Sequence, residues 1–221
     1  RNLREDLRGM GYGLIEGKVA DPEDPFRAFM LNGYAWAGLA GAAEMIAEVD
    51  QPQARRFAAE ADAWRRDIRA ALFETLGRSP VVPLGDGTWC PSAGPWAGAA
   101  GPLCLYAEPG AWCTHGSFVS RDALVGPLHL IYQRVLDPGE EAADLLVKHV
   151  VELFTDRLVM FSQPYYSPHP WVLLQRGEVN AFLRNYYSCM AALADRETYT
   201  FWEHFYHVSP HKTHEEAWFL M

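Results

Sequence analysis

The sequence predicts an all-α protein built of helical hairpins, and three observations predict it. Apolar residues recur at three- and four-residue steps over long stretches. A thoroughly apolar helix is followed, across a short turn, by an amphipathic one, and this pairing returns along the chain. Long loops dense in aromatics, histidine and glycine then separate the pairs.

A short helical start, Asn2 to Arg8, leads into a loop from Gly9 to Pro25. Pro25 and the acids before it suit a helix N-terminus, because proline is preset for the first turn and has no N–H to leave unpaired. The first helix is expected from about Phe26 to Val49. Between Ala28 and Val49 the polar side chains are only Asn32, Glu44 and Glu48. Alanine and glycine richness and the two glutamates weigh against membrane insertion. A helix apolar all round is then read as buried all round.

Asp50-Gln51-Pro52 breaks this helix, and a second is expected from about Pro52 to Leu76, ended by Gly77. Its apolar face is Phe57, Ala61, Trp64, Ile68, Ala71 and Leu72, with Arg55, Arg56, Glu60, Arg65, Arg66 and Arg69 between them. Val81 to Leu84 and Thr88 to Cys90 predict a small β-excursion around Asp86-Gly87; no other strand ladder is expected. Helices follow at Arg121 to Leu136 and Glu140 to Phe154, with Asp137-Pro138-Gly139 as the turn. A further apolar helix spans about Val179 to Ala194, and Thr213 to Met221 begins its partner. Hairpins thus recur at intervals of roughly 70–90 residues, with loops Gly85–Phe118, Met160–Gly177 and Asp195–Lys212 free to gather at one end.

The 221 residues are 49% apolar and 21% charged, with a mean hydropathy of -0.15, which is globular rather than disordered or collagen-like. Nineteen basic against 28 acidic residues, net -9, argue against nucleic acid or an anionic membrane surface as partner, since both need a basic stripe. Aromatic residues make up 13% of the chain, enough to line a sugar cleft or simply to fill a core. Cys90, Cys104, Cys113 and Cys189 form no C-x-x-C pair and are read as scattered free thiols. His207, His211 and His214, with Glu215, have a spacing that could ligate zinc, but Pro210 interrupts a shared helical face; no metal is expected. With neither a nucleophile elbow, a P-loop nor a dinucleotide fingerprint present, no cofactor is expected.

The most distinctive stretch is Arg196 to His204, in which Glu203 stands among Tyr199, Phe201 and Trp202. A carboxylate between aromatics is partly desolvated and has a stacking wall beside it, the setting of a general acid or base. This Thr/aromatic/Trp-Glu element, followed by a histidine-bearing segment, resembles the C-terminal part of the six-hairpin (α/α)6 glycosidases of the α-L-rhamnosidase and glucoamylase types. The Ala-rich first helix and the Ile68-Arg69-Ala70-Ala71-Leu72-Phe73 ending of the second are similar to their hairpin style.

The resemblance implies a single domain forming part of an (α/α)6 toroid, with inverting carboxylates at the loop-bearing end. Glu203 would be the base that activates water. Six such pairs need well over roughly 300 residues, so the chain, which opens on Arg1 and stops in an apolar run at Met221, is expected to be the C-terminal portion of a larger catalytic domain. The family's general-acid motif has no counterpart here, and the acid is expected in the missing portion or among Glu178, Asp86 and Glu16.

Gln163 to Trp171 reads as a rigid substrate wall, with Tyr165, Tyr166, His169 and Trp171 as contacts. Trp89, Trp202, His204 and His214 join them; Trp96 and Trp112 are weaker candidates. The expected function is inverting hydrolysis of a glycosidic bond in an oligo- or polysaccharide. Two alternatives stand: a polysaccharide lyase using Tyr165, Tyr166, His169, His115 and Asn180, or a helical module that only binds carbohydrate.

Overall fold

The computed structural model describes residues 11–17, 27–99, 101, 126–151, 168–195, 197, 200–202 and 212–213. The described residues are mostly helical, with few strands.

Helix α1 (Phe29–Met45) and helix α2 (Gln51–Arg78) form the first hairpin. Asp50 caps α2, its side chain accepting the Gln53 N–H at 3.0 Å, and Pro52 sits in the first turn. Twenty-eight residues make α2 about 42 Å long. It buries Ala61, Trp64, Ile68, Ala71 and Leu72 of the face expected from its periodicity, while Phe57 at the start of that face is only half-buried. Gly77 does not end the helix. It runs one residue further, and the Ser79 hydroxyl closes it on the Thr75 carbonyl at 2.8 Å.

The expected burial of the first helix is corrected. Of its residues only Phe29, Asn32, Gly33 and Ala43 are buried, and Met45 beyond them is 83% exposed. Contact with α2 and with helix α3 (Leu128–Tyr132) covers one flank, and a helix apolar on every side has no polar face to turn outward. At Gly33 the α1 and α3 backbones come close: a Cβ there would lie 3.3 Å from Leu130 Cδ2.

Helix α3 is five residues long, shorter than the apolar run that predicted it. Arg134 adopts a left-handed φ of 64°, and the Leu136 N–H closes the turn on the Leu130 carbonyl at 3.0 Å. Val135 and Leu136 are fully buried outside the helix. At Val135 and Leu136 the run recorded burial, not helix; residues 121–125 of the predicted span lie outside the described residues. Helix α4 (Glu141–Val150) starts close to where it is expected, burying Ala143, Leu146 and Val147; residues 152–154 of the expected span lie outside the described residues.

Helix α5 (His169–Gln175) replaces the loop expected there, while residues 163–167 of the proposed substrate wall lie outside the described residues. Pro170 lies in its first turn, and Val172 and Leu173 enter the core. Gly177, at φ 72°, turns the chain into helix α6 (Val179–Leu193), close to its expected bounds. These helices share one core that includes Phe29, Trp64, Ile68, Leu130, Leu146 and Leu173.

Strands β1 (Val81–Pro83) and β2 (Trp89–Pro91) pair antiparallel around Asp86-Gly87, where the turn chemistry predicts them. An unexpected sheet follows α6: β3 (Ala194–Asp195), β4 (Thr200–Trp202) and β5 (Lys212–Thr213), antiparallel in that order. Thr213 pairs with Phe201 instead of opening a helix. Thr200-Phe201-Trp202 is β-branched and aromatic, but three residues are too few to show an alternation. No described helix is long and apolar enough to cross a membrane.

Candidate functional site

The C-terminal candidate is approached through strand β4. Phe201 is paired on both sides, to Ala194 and to Thr213, and Trp202 pairs with Lys212. The backbone immediately before Glu203 is therefore held in a three-stranded sheet that starts where α6 ends. Glu203, His204 and His214 lie outside the described residues, as do Tyr165, Tyr166, His115, Trp112, His207 and His211.

Glu178 precedes the first residue of α6. Its carboxylate makes no capping hydrogen bond; instead Oε1 accepts the Arg176 Nε–H at 2.7 Å. Arg176 also donates to Asp144 and to the Pro138 carbonyl. Burial works against the Arg176 charge, but the hydrogen bonds to Glu178 and Asp144 more than offset it and hold the guanidinium above its ordinary pKa. Glu178 is thus a hydrogen-bond acceptor in a clasp joining the α5–α6 turn to α4. Asn180, two residues on, is exposed.

Asp86 is exposed at the β1–β2 turn. Its Oδ1 accepts the Thr88 backbone N–H at 2.8 Å and the Thr88 hydroxyl at 2.7 Å. The Thr88 side chain first, then its backbone, holds the carboxyl below the usual carboxylate range. Such a group is ionised at neutral pH and has no proton to deliver, which does not suit a general acid. Glu16 is paired with Arg27 at 2.7 Å. Asp86 registers the charge of Lys148 in the last turn of α4, whereas Glu178 connects through Arg176 to Asp144 in its first turn.

Trp89 is 64% exposed on β2, and Trp96 is half-buried beside Ala28. His169 is 1% exposed at the start of α5. Burial first, and the neighbouring His129 second, push its pKa down to about 3. Trp171 stands edge-on to Tyr132 at 4.9 Å, with the Arg134 guanidinium 5.2 Å from its ring.

Sequence reasoning missed the cluster this belongs to. Tyr34 on α1 lies 5.8 Å from the His129 ring and 6.3 Å from Tyr132. Burial, then Tyr132, raises the Tyr34 phenol to about 12. Its members sit at residues 34, 129–134 and 169–171, so no local motif links them; the only signal is a histidine at a core-facing position of α3. His149 is a second buried imidazole, pushed by burial to about 4, with the Ala93 N–H donating to its Nδ1 at 3.5 Å.

Two surface clefts lie on α2. One, of about 410 Å³, is lined by Asp62, Arg65, Arg66, Arg69, Asp137 and Glu140; the other, of about 540 Å³, by Leu39, Arg56, Phe57, Ala59 and Glu60. Neither contains a residue predicted for the site. Among the described residues no group of three His, Cys, Asp or Glu side chains is placed to hold a metal ion. Cys90 is buried, 1% exposed.

Compared with protein-family models, with curated proteins and with solved structures, the chain shows no match.

Proposed function

We propose that the chain hydrolyses a glycosidic bond with inversion, Glu203 acting as general base, and that its helical hairpins form part of an (α/α)6 toroid. The observation that supports this most is the paired β4 strand ahead of Glu203. A base that must hold a water against an anomeric carbon is served by a fixed backbone leading into it, and Phe201, two residues earlier, is paired on both sides. The Trp202 next to it in sequence offers an indole for ring stacking.

In the reaction the Glu203 carboxylate takes a proton from water as the oxygen attacks the anomeric carbon. On the opposite face a carboxylic acid protonates the departing glycosidic oxygen, and the C–O bond breaks. The two carboxyls must stand about 6.5–9.5 Å apart to admit the water. Glu178 and Asp86 are both engaged as acceptors, to Arg176 and Thr88, which argues for another carboxyl as the acid.

The test is the Glu203→Gln variant, which keeps the size and polarity of the side chain and removes the base. Turnover is expected to fall at least about 10³-fold with substrate binding retained. Unchanged turnover would overturn the assignment, and so would an ultraviolet-absorbing unsaturated product, which marks elimination instead of hydrolysis.

A further inference from the structure

The β1–β2 register divides the hairpin into two faces. Val82 pairs with Cys90, and Cys90 is 1% exposed, so this pair faces inward. The flanking pairs, Val81 with Pro91 and Pro83 with Trp89, then share the outward face. Val81 is 58% exposed and Pro83 is exposed beside Trp89. The result is an apolar ledge with an indole at its centre.

The ledge is rigid. The Leu84 N–H bonds the Thr88 carbonyl at 2.8 Å, and the Gly87 N–H returns to the Leu84 carbonyl at 3.1 Å. Gly87 takes φ 84°, which an L side chain rarely adopts. At the other end the Ser92 N–H and hydroxyl both donate to the Pro80 carbonyl, at 2.8 and 2.9 Å. Two prolines restrict the strands further. Little entropy remains to be lost when a ligand settles there.

Size and charge select the occupant. Four side chains present a few hundred Å² at most, against roughly 800 Å² on each partner of a stable protein interface. A protein surface or second copy is therefore poorly served. Among the described residues the four paired side chains of the face carry no charge; Asp86 stands at its tip, where the charge of Lys148 on α4 reaches it, in a chain of net charge -9. A polyanion finds no basic cluster there to neutralise it. An uncharged pyranose fits: its C–H face stacks on an indole, and its hydroxyls donate to a carboxylate held ionised.

We propose that the outward face of the β1–β2 hairpin is a stacking platform for an uncharged glycan chain, with Trp89 as the ring contact and Asp86 as acceptor of a sugar hydroxyl. This rests on the glycan reading above and narrows it to neutral pyranose polymers.

The experiment uses the full chain with Glu203→Gln, run in native gels containing hydroxyethyl cellulose, galactomannan or amylopectin, with polygalacturonate as the anionic control. Retardation is expected in at least one neutral gel and none in polygalacturonate. Adding Trp89→Ala should weaken it about tenfold, and Trp89→Phe should restore most of it. No retardation in any neutral gel, equal retardation without the indole, or retardation by polygalacturonate alone would overturn the platform. So would a fall from dimer to monomer on Trp89→Ala in sedimentation velocity, which would assign the face to a second copy. Failure of the two readings is separable. Turnover surviving Glu203→Gln sinks the hydrolase and leaves a Trp89-dependent platform standing; a silent Trp89→Ala in a chain that needs Glu203 sinks only the platform.

Discussion

Asn32 is one of three polar side chains that interrupt the apolar first helix, and the structure explains its presence. Fully buried, it accepts the Ile15 N–H at 3.0 Å and the Trp64 indole N–H at 3.2 Å, both on Oδ1. Its amide nitrogen donates to the carbonyls of Ile15 at 3.1 Å and Ala28 at 3.0 Å. One side chain thus pins the 11–17 segment, α1 and α2 together. Removing it strands polar groups in the interior, which costs more than the bonds contribute when made. Asn32→Ala is expected to destabilise the fold by about 2–4 kcal/mol, a fall in thermal midpoint of roughly 5–15 °C by calorimetry. An unchanged midpoint would contradict the pin. From the sequence Asn32 read only as a break in a run, because its partners lie 17 and 32 residues away.

At the scale of elements, α2 was the most legible, since its core contacts recur with the period of the helix itself. The β1–β2 hairpin was legible for a different reason: Asp86-Gly87 is turn chemistry, and an Asp side chain bonding two residues on is what that pair does. Helices α3 and α5 were misread because an apolar run and a proline-rich stretch each fit more than one backbone. The charged face of α2 has its own use. Arg69 grips Glu140 through two bonds, 2.7 and 2.9 Å, while Arg65 donates to the Val135 carbonyl at 2.9 Å. This fixes the turn that carries α3 into α4. A double-mutant cycle of Arg69→Met and Glu140→Gln, followed by urea unfolding, should give a coupling of about 1 kcal/mol. Additive effects would remove the clasp from the account.

Across the whole molecule, burial of His149 and His169 makes the fold sensitive to acid. Their folded values, about 4 and about 3, lie below the 6.5 of a free imidazole. The unfolded chain therefore takes up these protons first. Stability from this source is full above pH 6.5 and declines as pH falls through the folded values. Between pH 6.5 and 5 each histidine removes on the order of 2 kcal/mol. Denaturant midpoints at pH 7 and 5 should diverge, and His149→Asn and His169→Asn should each narrow the gap; equal midpoints would refute this. Helical content and most of the core were legible in the sequence because periodicity is local. The candidate site is legible only as residue types, Glu203 among aromatics and Trp89 beside a turn, since the proposed catalytic pair would be set by distances between remote segments. The central proposal is inverting hydrolysis by Glu203. Its most direct test is proton NMR of the anomeric signal of the sugar first released from a neutral oligosaccharide, for the wild type and for Glu203→Gln. Inverted anomeric configuration with the wild type and no release by the variant is the predicted result; retained configuration, or release undiminished in the variant, would contradict it.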